Sequence, residues 1–255
     1  MNIHQLLELT VAKEASDLHL IVGFQPELRV NGELYPIPGT DPITPEEIMP
    51  LIENITTKQQ KQIYVNNLEL DFSFELKDKC RFRVNIYFQK GYPAAAFRFI
   101  PFKIRTLDDL GFPPVVSKLT DLRQGFVLIT GPTGQGKSTT LAAFINQINL
   151  VRTSHIITVE DPIEFVYPKG KALISQREMY RDTKSWPNAL KSALREDPDV
   201  VLVGEMRDLE TMASAITIAE TGHLVFTTLH TNSASQSVDR VIDVFPQDQQ
   251  PQIRL

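Results

Sequence analysis

Two spacings of apolar residues in the first hundred positions predict a region that mixes α-helices and β-strands. The apolar runs at 18–22 and 28–34 flank turn residues and predict two short strands. A helix is predicted to begin after Thr44 as its N-cap, because Pro45 suits the first turn of a helix. An earlier helix is predicted from apolar residues at helical spacing, namely Ile3, Leu6, Leu7 and Val11.

Strict alternation of apolar and polar residues makes Cys80–Gln89 the clearest predicted strand. The alternation places the apolar side chains on one face and puts Arg81 and Arg83 together on the other. A further strand, predicted over residues 94–100, carries Arg98. The first region is therefore predicted to carry strands with arginines on a polar face.

The pattern changes after residues 101–114, where three prolines, a glycine and a short helical stretch near 107–110 predict an inter-domain linker. Beyond it, compact apolar runs alternate with helical stretches, which is typical of a parallel sheet with helices on its faces. The predicted strands are 126–130, 156–160, 200–204 and 224–228. The predicted helices are 137–149, 185–195 and Leu209–Glu220. The predicted fold class is α/β.

Composition excludes several classes of protein. A formal net charge of −5 and the absence of a Lys/Arg run are unlike a sequence-independent nucleic-acid binder, so nucleic acid is not an expected partner. The single cysteine, Cys80, excludes an internal disulfide and fits a cytoplasmic protein. No apolar run approaches the roughly eighteen residues of a membrane-spanning helix, so none is expected.

Residues 131–138 match the phosphate-binding P-loop pattern at every fixed position, after a predicted strand and at the start of a predicted helix. Glycines let backbone N–H groups point at an anion, and the helix N-terminus adds its dipole. Lys137 is predicted to bind the β- and γ-phosphates of ATP, and Ser138 to be a ligand of Mg²⁺. The predicted nucleotide-binding residues are Gly131, Pro132, Thr133, Gly134, Gln135, Gly136, Lys137, Ser138 and Thr139.

Acidic residues follow two of the predicted strands at the edge where a parallel sheet binds its ligands. Glu205 is predicted to take part in hydrolysis and to hold the metal ion. Glu160 and Glu164 are both candidates for orienting the attacking water. His230, at the end of another strand, is a candidate for contact with the γ-phosphate, although a single strand-end histidine is more often structural.

P-loop enzymes often need a guanidinium to neutralise charge in the transition state. No arginine lies in or beside residues 131–138. The arginines of the first region are therefore candidates, acting either within the chain or on a neighbouring subunit. The alternative interpretation is an ordinary solvated strand face.

Taken together and in this order, the motifs resemble the secretion ATPases of type IV pili and type II secretion. The resemblance covers nearly the whole chain and is far more specific than a P-loop alone. It rests on segments 15–20, 81–85, 131–140, 158–165, 194–199, 204–211, 221–226 and 228–231.

This resemblance implies a domain organisation and a hexameric ring. A PAS-like α+β domain is expected over residues 1–100, a linker over 101–114, and a RecA-like P-loop ATPase domain over 115–255. A homo-oligomer of this kind would place the N-terminal domain of one subunit beside the nucleotide of the next.

The same resemblance implies roles for individual residues. Glu205 would be the Walker B glutamate, and Glu164 the acid of the Asp box near the γ-phosphate. Arg83 and Arg98 are the arginines expected to reach a neighbouring subunit's nucleotide. His230 would belong to the His box.

The implied function is an ATP-hydrolysing motor that drives pilus retraction from the cytoplasmic side of the inner membrane. It would bind a platform protein of the pilus and meet the membrane only through partners. Retraction is favoured because segment 15–20 begins almost at Met1, without room for a leading domain, and because 204–211 resembles the retraction branch. The alternatives are a pilus-assembly or type II secretion ATPase, and a regulatory nucleotide-binding subunit with little turnover. Family members continue beyond Leu255, so a C-terminally truncated form is expected.

Overall fold

The computed structural model describes residues 2–76, 80–100 and 104–254. Contacts divide the chain into two units, Met1–Phe102 and Lys103–Leu255. Residues 101–103 of the predicted linker and the terminal Leu255 lie outside the described residues. The predicted domain assignments stay predictions.

In its described part, the first unit contains a six-stranded antiparallel sheet and three helices. The helices are α1 Ile3–Ala12, α2 Pro45–Glu53 and α3 Lys58–Asn67. The strands are β1 Asp17–Leu20, β2 Glu27–Val30, β3 Glu33–Pro36, β4 Glu69–Leu76, β5 Cys80–Gln89 and β6 Tyr92–Ile100. The strand order is β3-β2-β1-β6-β5-β4.

Turn and cap residues explain two of these element bounds. Helix α2 begins after Thr44 as predicted, and the Glu47 carboxylate accepts a hydrogen bond from the Thr44 backbone N–H at 2.9 Å. The single strand predicted over 28–34 is wrong. Asn31 and Gly32 have φ angles of 52° and 90°, and this pair of positive φ angles turns the chain back so that β2 and β3 form a hairpin.

The apolar face of the sheet carries the core of the first unit. Strand β5 lies where the alternation predicts it, and Arg83 is half-buried on its polar side. Arg81 is only 8% exposed, so the solvated face considered for these arginines does not apply to it. The core includes Ile3, Leu6, Leu7, Leu18, Leu20, Phe82, Val84, Ile86 and Phe97.

The second unit contains a five-stranded parallel sheet in its described part. The strands are β7 Gly125–Thr130, β8 His155–Glu160, β9 Leu173–Glu178, β10 Val200–Val203 and β11 Leu224–Leu229. The helices are α4 Pro114–Ser117, α5 Lys137–Val151, α6 Trp186–Ala193, α7 Leu209–Glu220, α8 Ala234–Val244 and α9 Gln250–Ile253, with a 3₁₀ helix at Lys118–Asp121. The order is β7-β11-β10-β8-β9, with every pair parallel, which confirms the predicted α/β class.

Helices cover both faces of the parallel sheet, which explains its uninterrupted apolar runs. Val201, Val203 and Val225 pack with residues of α6 and α7 on one face. Leu202 and Phe226 pack with residues of α5 on the other. None of the helices in the described part of the chain is long and apolar enough to cross a membrane.

Several elements of the second unit differ from the sequence prediction. Strand β9, the 3₁₀ helix and helices α4, α8 and α9 are not foreseen, and the short helical stretch predicted near 107–110 is a single turn rather than a helix. That segment is a hydrogen-bonded turn, in which the Leu110 N–H donates to the Thr106 carbonyl at 3.2 Å. Leu107 is 2% exposed and lies in the α5-side core, so this part of the predicted linker packs into the second unit.

Candidate nucleotide-binding site

The P-loop sequence forms an exposed connection between β7 and α5. Residues 132–135 are exposed, and α5 begins at Lys137. Gly134 and Gly136 adopt φ angles of +83° and +84°, and a Cβ added at either would meet nothing within 4 Å. Backbone conformation rather than crowding therefore favours glycine here. The loop keeps its backbone accessible at the N-terminus of a long helix, as an anion site requires.

The Lys137 side chain is held over the loop by the loop's own carbonyl groups. Its Nζ donates to the carbonyl oxygens of Gly131 at 2.7 Å and Pro132 at 3.0 Å. Partial burial of the ammonium lowers the pKa of Lys137. Ser138 and Thr139 follow as half-buried residues in the first turn of α5. The two side chains predicted to meet phosphate and metal thus leave the loop at adjacent positions.

His230 connects this lysine to Glu205. The Nδ1 atom of His230 lies 3.5 Å from Lys137 Nζ, and its Nε2 atom lies 3.5 Å from Glu205 Oε2. Because an ammonium can only donate, Nδ1 faces it as the acceptor, and the ring proton belongs on Nε2 towards the carboxylate. The Glu205 carboxylate, 16% exposed, opposes the effect of burial on the Lys137 pKa. The structure therefore brings together three residues that the sequence predicted separately.

Strand β11 fixes the turn that carries Glu205. Thr228 Oγ1 donates to the Gly204 carbonyl oxygen at 2.8 Å, and the Met206 N–H donates to the Thr228 carbonyl oxygen at 3.2 Å. A Cβ on Gly204 would lie 3.3 Å from the Val159 carbonyl oxygen, so glycine allows β10 to end close to β8. Glu205 is thus held at the carboxyl edge of the sheet from both sides.

Arg207 is a site residue that the sequence analysis missed. Its Nη2 contacts Glu205 Oε1, and this hydrogen bond raises the pKa of Arg207. The guanidinium is 74% exposed, and the negative charge of Asp161 also raises the pKa of Arg207. Arg207 lies outside both places from which an arginine was predicted, the vicinity of residues 131–138 and the first region. The available signal was that Arg207 follows the strand-end acid by two positions.

Glu160 and Glu164 occupy different environments. Glu160 is 8% exposed, and its Oε1 accepts hydrogen bonds from Thr158 Oγ1 at 2.7 Å and Gln176 Nε2 at 3.3 Å. Burial raises the pKa of Glu160 to about 7. Glu164 is half-buried, and its carboxylate acts electrostatically on Lys137. Of the two acids, Glu164 is the one whose charge reaches the P-loop lysine.

The two arginines expected to act on a neighbour lie in the first unit, where they are partners in register on β5 and β6. Arg98 Nε donates to Asp17 Oδ1 at 3.0 Å, and Asp17 is nearly buried while Arg98 is 70% exposed. Arg83 Nε lies 4.0 Å from Asp71 Oδ1, with the two side chains 40% and 49% exposed. Arg98 is therefore anchored at one end and free to present its terminal N–H groups, whereas Arg83 is held loosely.

A cleft of about 360 Å³ opens beside Gln135 and Lys137. Its other walls are mainly apolar and come from Phe112, Val116, Leu119, Val127, Ile129 and Phe144. The P-loop lysine therefore borders an apolar space as well as the acidic edge of the sheet.

Comparison with protein families shows to which known group the chain belongs. A model described as type II/IV secretion system protein matches residues 2–250. The chain belongs to this family. The type II/IV secretion family resemblance inferred from the motifs is therefore confirmed.

Individual members of the type II/IV secretion family match along the whole chain. The type IV pilus retraction ATPase PilT of Pseudomonas aeruginosa is 49% identical over 254 residues, covering 100% of this chain and 74% of that protein. A twitching motility protein of Neisseria gonorrhoeae is 48% identical, covering 99% and 67%. A crystal structure of the pilus retraction motor PilT with bound ADP superposes with a TM-score of 0.96 at 43% identity, covering 100% of this chain and 74% of that one.

Proposed function

We propose that the chain is a subunit of an ATP-hydrolysing motor that drives retraction of type IV pili. The observation that carries the proposal is the convergence of Lys137, His230 and Glu205 beside a P-loop at the start of α5. The two relatives described above favour retraction over assembly or secretion, since they match nearly the whole chain and are named for retraction or twitching motility.

Residues 131–139 bind the phosphates of ATP in this proposal. Backbone N–H groups of the loop and the N-terminus of α5 face the anion. The Lys137 ammonium exchanges the carbonyl oxygens of Gly131 and Pro132 for phosphate oxygens, so it changes partners without travelling far. A charged donor that is already beside the site lowers the cost of ordering the ligand.

Ser138 and Glu205 are the residues that would hold Mg²⁺ with the nucleotide. A hydroxyl and a carboxylate are the hard oxygen donors that Mg²⁺ prefers, usually together with phosphates and water. Within the described residues, no group of three or more His, Cys, Asp or Glu side chains could hold a metal alone, which fits a metal bound mainly through phosphate. The ion, when bound, would neutralise charge on the β- and γ-phosphates.

Glu205 and Glu164 have different roles in the proposed hydrolysis. Glu205, engaged by His230 and Arg207, has its orientation set on both carboxylate oxygens. Glu164 orients the attacking water, since its charge acts on Lys137 and it is more exposed than Glu160. Glu160 contacts the loop directly through its Oε2 atom, 3.5 Å from the Glu164 N–H, and indirectly through Gln176.

The second unit acts as the RecA-like ATPase domain and the first as the PAS-like domain. Six chains form a ring in which Arg98 and Arg83 of one subunit approach the phosphates bound by the next. Arg98 is the better-prepared of the two because Asp17 fixes its Nε atom. Such arginines stabilise transition-state charge, with effects of about 10³–10⁵ in rate where they have been measured.

The motor acts in the cytoplasm at the pilus base, where a platform protein of the inner membrane is its partner. The chain itself would not insert into the bilayer, and nucleic acid is not a partner. The net charge of −5 supports this last point, because nucleic-acid binding is driven by basic surfaces.

Phosphate release by the purified chain tests the proposal. Mg²⁺-dependent hydrolysis of ATP is expected, and Glu205→Gln should lower the turnover rate by about 10²–10⁴. Glu220→Gln is the matched control, because Glu220 is an exposed residue at the end of α7, and it should leave turnover unchanged. Tight ATP binding without phosphate release would instead support the regulatory alternative.

Deleting the gene separates retraction from assembly. Loss of a retraction motor leaves cells with excess pili, whereas loss of an assembly motor leaves them without pili. Cells that lack pili after deletion would contradict the proposed direction of the motor, while leaving the ATPase proposal intact.

A further inference from the structure

Side chains of β9 hold the loop that carries Glu164. Gln176 and Glu178 lie near the end of strand β9. They are two positions apart and therefore project from the same face of the sheet. Both side chains bond to the backbone of the segment that follows β8. The edge strand that sequence analysis missed thus contacts the predicted Asp box directly.

The Gln176 amide bonds to the loop at two points. Its Nε2 donates to the Phe165 carbonyl oxygen at 2.8 Å, and its Oε1 accepts from the Tyr167 N–H at 3.4 Å. This donor-and-acceptor pair imitates a neighbouring β-strand for the residues just after Glu164. The same Nε2 also donates to Glu160 Oε1 at 3.3 Å, so a single amide joins the loop to the buried acid.

Two buried carboxylates hold the other end of the loop. Glu178 Oε2 accepts from the Ile163 N–H at 3.1 Å, and Glu160 Oε2 lies 3.5 Å from the Glu164 N–H. Glu178 is 4% exposed and is the register partner of Glu160 on β8. The backbone at Glu164 is therefore fixed from both directions.

We propose that Gln176 is a positioning residue for Glu164, and through it for the attacking water. This inference rests on the proposed function, because it takes Glu164 as the acid that faces the γ-phosphate. Among the described residues, Gln176 makes no hydrogen bond to the P-loop lysine; it acts through the loop backbone. A shift of about 1 Å in a catalytic group costs on the order of 10²-fold in rate, so holding this loop is sufficient to control turnover.

Amide hydrogen exchange tests the positioning without requiring any activity. Gln176→Met keeps the length of the side chain but removes both polar contacts, and Gln176→Glu keeps the acceptor while removing the donor. Exchange over residues 163–167 should rise by about tenfold in each variant, as expected for the loss of a buried hydrogen bond. Ser175→Ala is the matched control, because Ser175 precedes Gln176 on β9 and bonds His155 instead.

Turnover and ATP affinity, measured on the same variants, test the consequence. Both Gln176 variants should lose about tenfold or more in kcat with ATP affinity changed by less than about threefold, whereas Ser175→Ala should match the parent chain. Unchanged exchange over 163–167, or an equal effect of Ser175→Ala, would overturn the inference. If Glu164→Gln leaves turnover unchanged, the proposed role of Glu164 is refuted instead.

Discussion

The phosphate loop after β7 and the acidic loop after β8 lie at the same edge of the parallel sheet, but they are stabilised in different ways. Residues 131–136 are mostly exposed, and Lys137 bonds to carbonyl groups of its own loop. Residues 161–165 are held by Glu160, Gln176 and Glu178, which come from two neighbouring strands. The proposed nucleotide-binding loop is thus one contiguous segment, whereas the acid proposed to orient water depends on long-range contacts.

This comparison predicts that the two loops control different measurable quantities. Changes in the phosphate loop should alter ATP affinity, and changes in the acidic loop should alter turnover. A variant that changed ATP affinity and turnover equally would contradict this distinction between the two loops.

The largest effect is expected from Glu164→Gln. Losing the carboxylate should lower kcat by about 10²–10⁴, the usual contribution of a positioned acid or base. ATP affinity, measured by calorimetry, should stay within about threefold of the parent value. Glu196→Gln would be a poor control because Glu196 pairs with Arg177, so the exposed Glu220→Gln is preferred. Normal turnover in Glu164→Gln would show that another acid orients the attacking water.

Lys137→Ala should reduce ATP affinity by about a hundredfold, since charge-assisted bonds to phosphate are lost. The exposed Lys171→Ala, also in the second unit, changes net charge by the same amount and should have little effect. Equal losses of affinity in the two variants would indicate a general charge effect rather than a phosphate site.

Glu160→Gln should change how stability depends on pH. Burial raises the pKa of Glu160 from 4.5 to about 7, so folding favours the protonated carboxyl group. Its stabilising contribution is complete below pH 4.5 and is lost as the pH rises through about 7. The free energy of unfolding of the parent should therefore fall by about 1–3 kcal/mol relative to Glu160→Gln between these limits.

Denaturant unfolding across that pH range measures this difference. Glu220→Gln should follow the parent curve, because its carboxyl group is exposed. Parallel curves for the parent and Glu160→Gln would show that the buried carboxyl group does not ionise with a raised pKa.

Gly136→Ala should have the smallest effect on stability, about 1–2 kcal/mol, because a left-handed φ of +84° must be imposed on a residue with a Cβ. No steric contact adds to this cost, since the Cβ would meet nothing within 4 Å. Thermal unfolding measures the loss. A cost above about 4 kcal/mol would mean that the loop is packed more tightly than its exposure indicates.

The same contrast explains which parts of the molecule could be predicted from sequence. The P-loop, the strand before it and the helix after it are formed by consecutive residues, so a local pattern locates them. Strand Cys80–Gln89 is located by its strict alternation of apolar and polar residues. Strand β9 was missed because its last four residues are polar, which gives no apolar run. The 28–34 segment was misassigned because a two-residue turn interrupts it.

Long-range geometry was beyond the reach of sequence patterns. The acids Glu160 and Glu164 are four residues apart and look equivalent in the chain. Their difference arises from Thr158 and Gln176, which bury one of them in hydrogen bonds. Arg207 was missed for a different reason: it follows Glu205 by only two positions, but the sequence does not show that its guanidinium bonds to that carboxylate.

A structure of the chain with Mg²⁺ and a non-hydrolysable ATP analogue would test the central claim most directly. Lys137 Nζ is expected to leave the carbonyl oxygens of Gly131 and Pro132 and to bond to the phosphates, with Glu205 and Glu164 facing the γ-phosphate. A nucleotide bound elsewhere, with Lys137 still on its own loop, would contradict it.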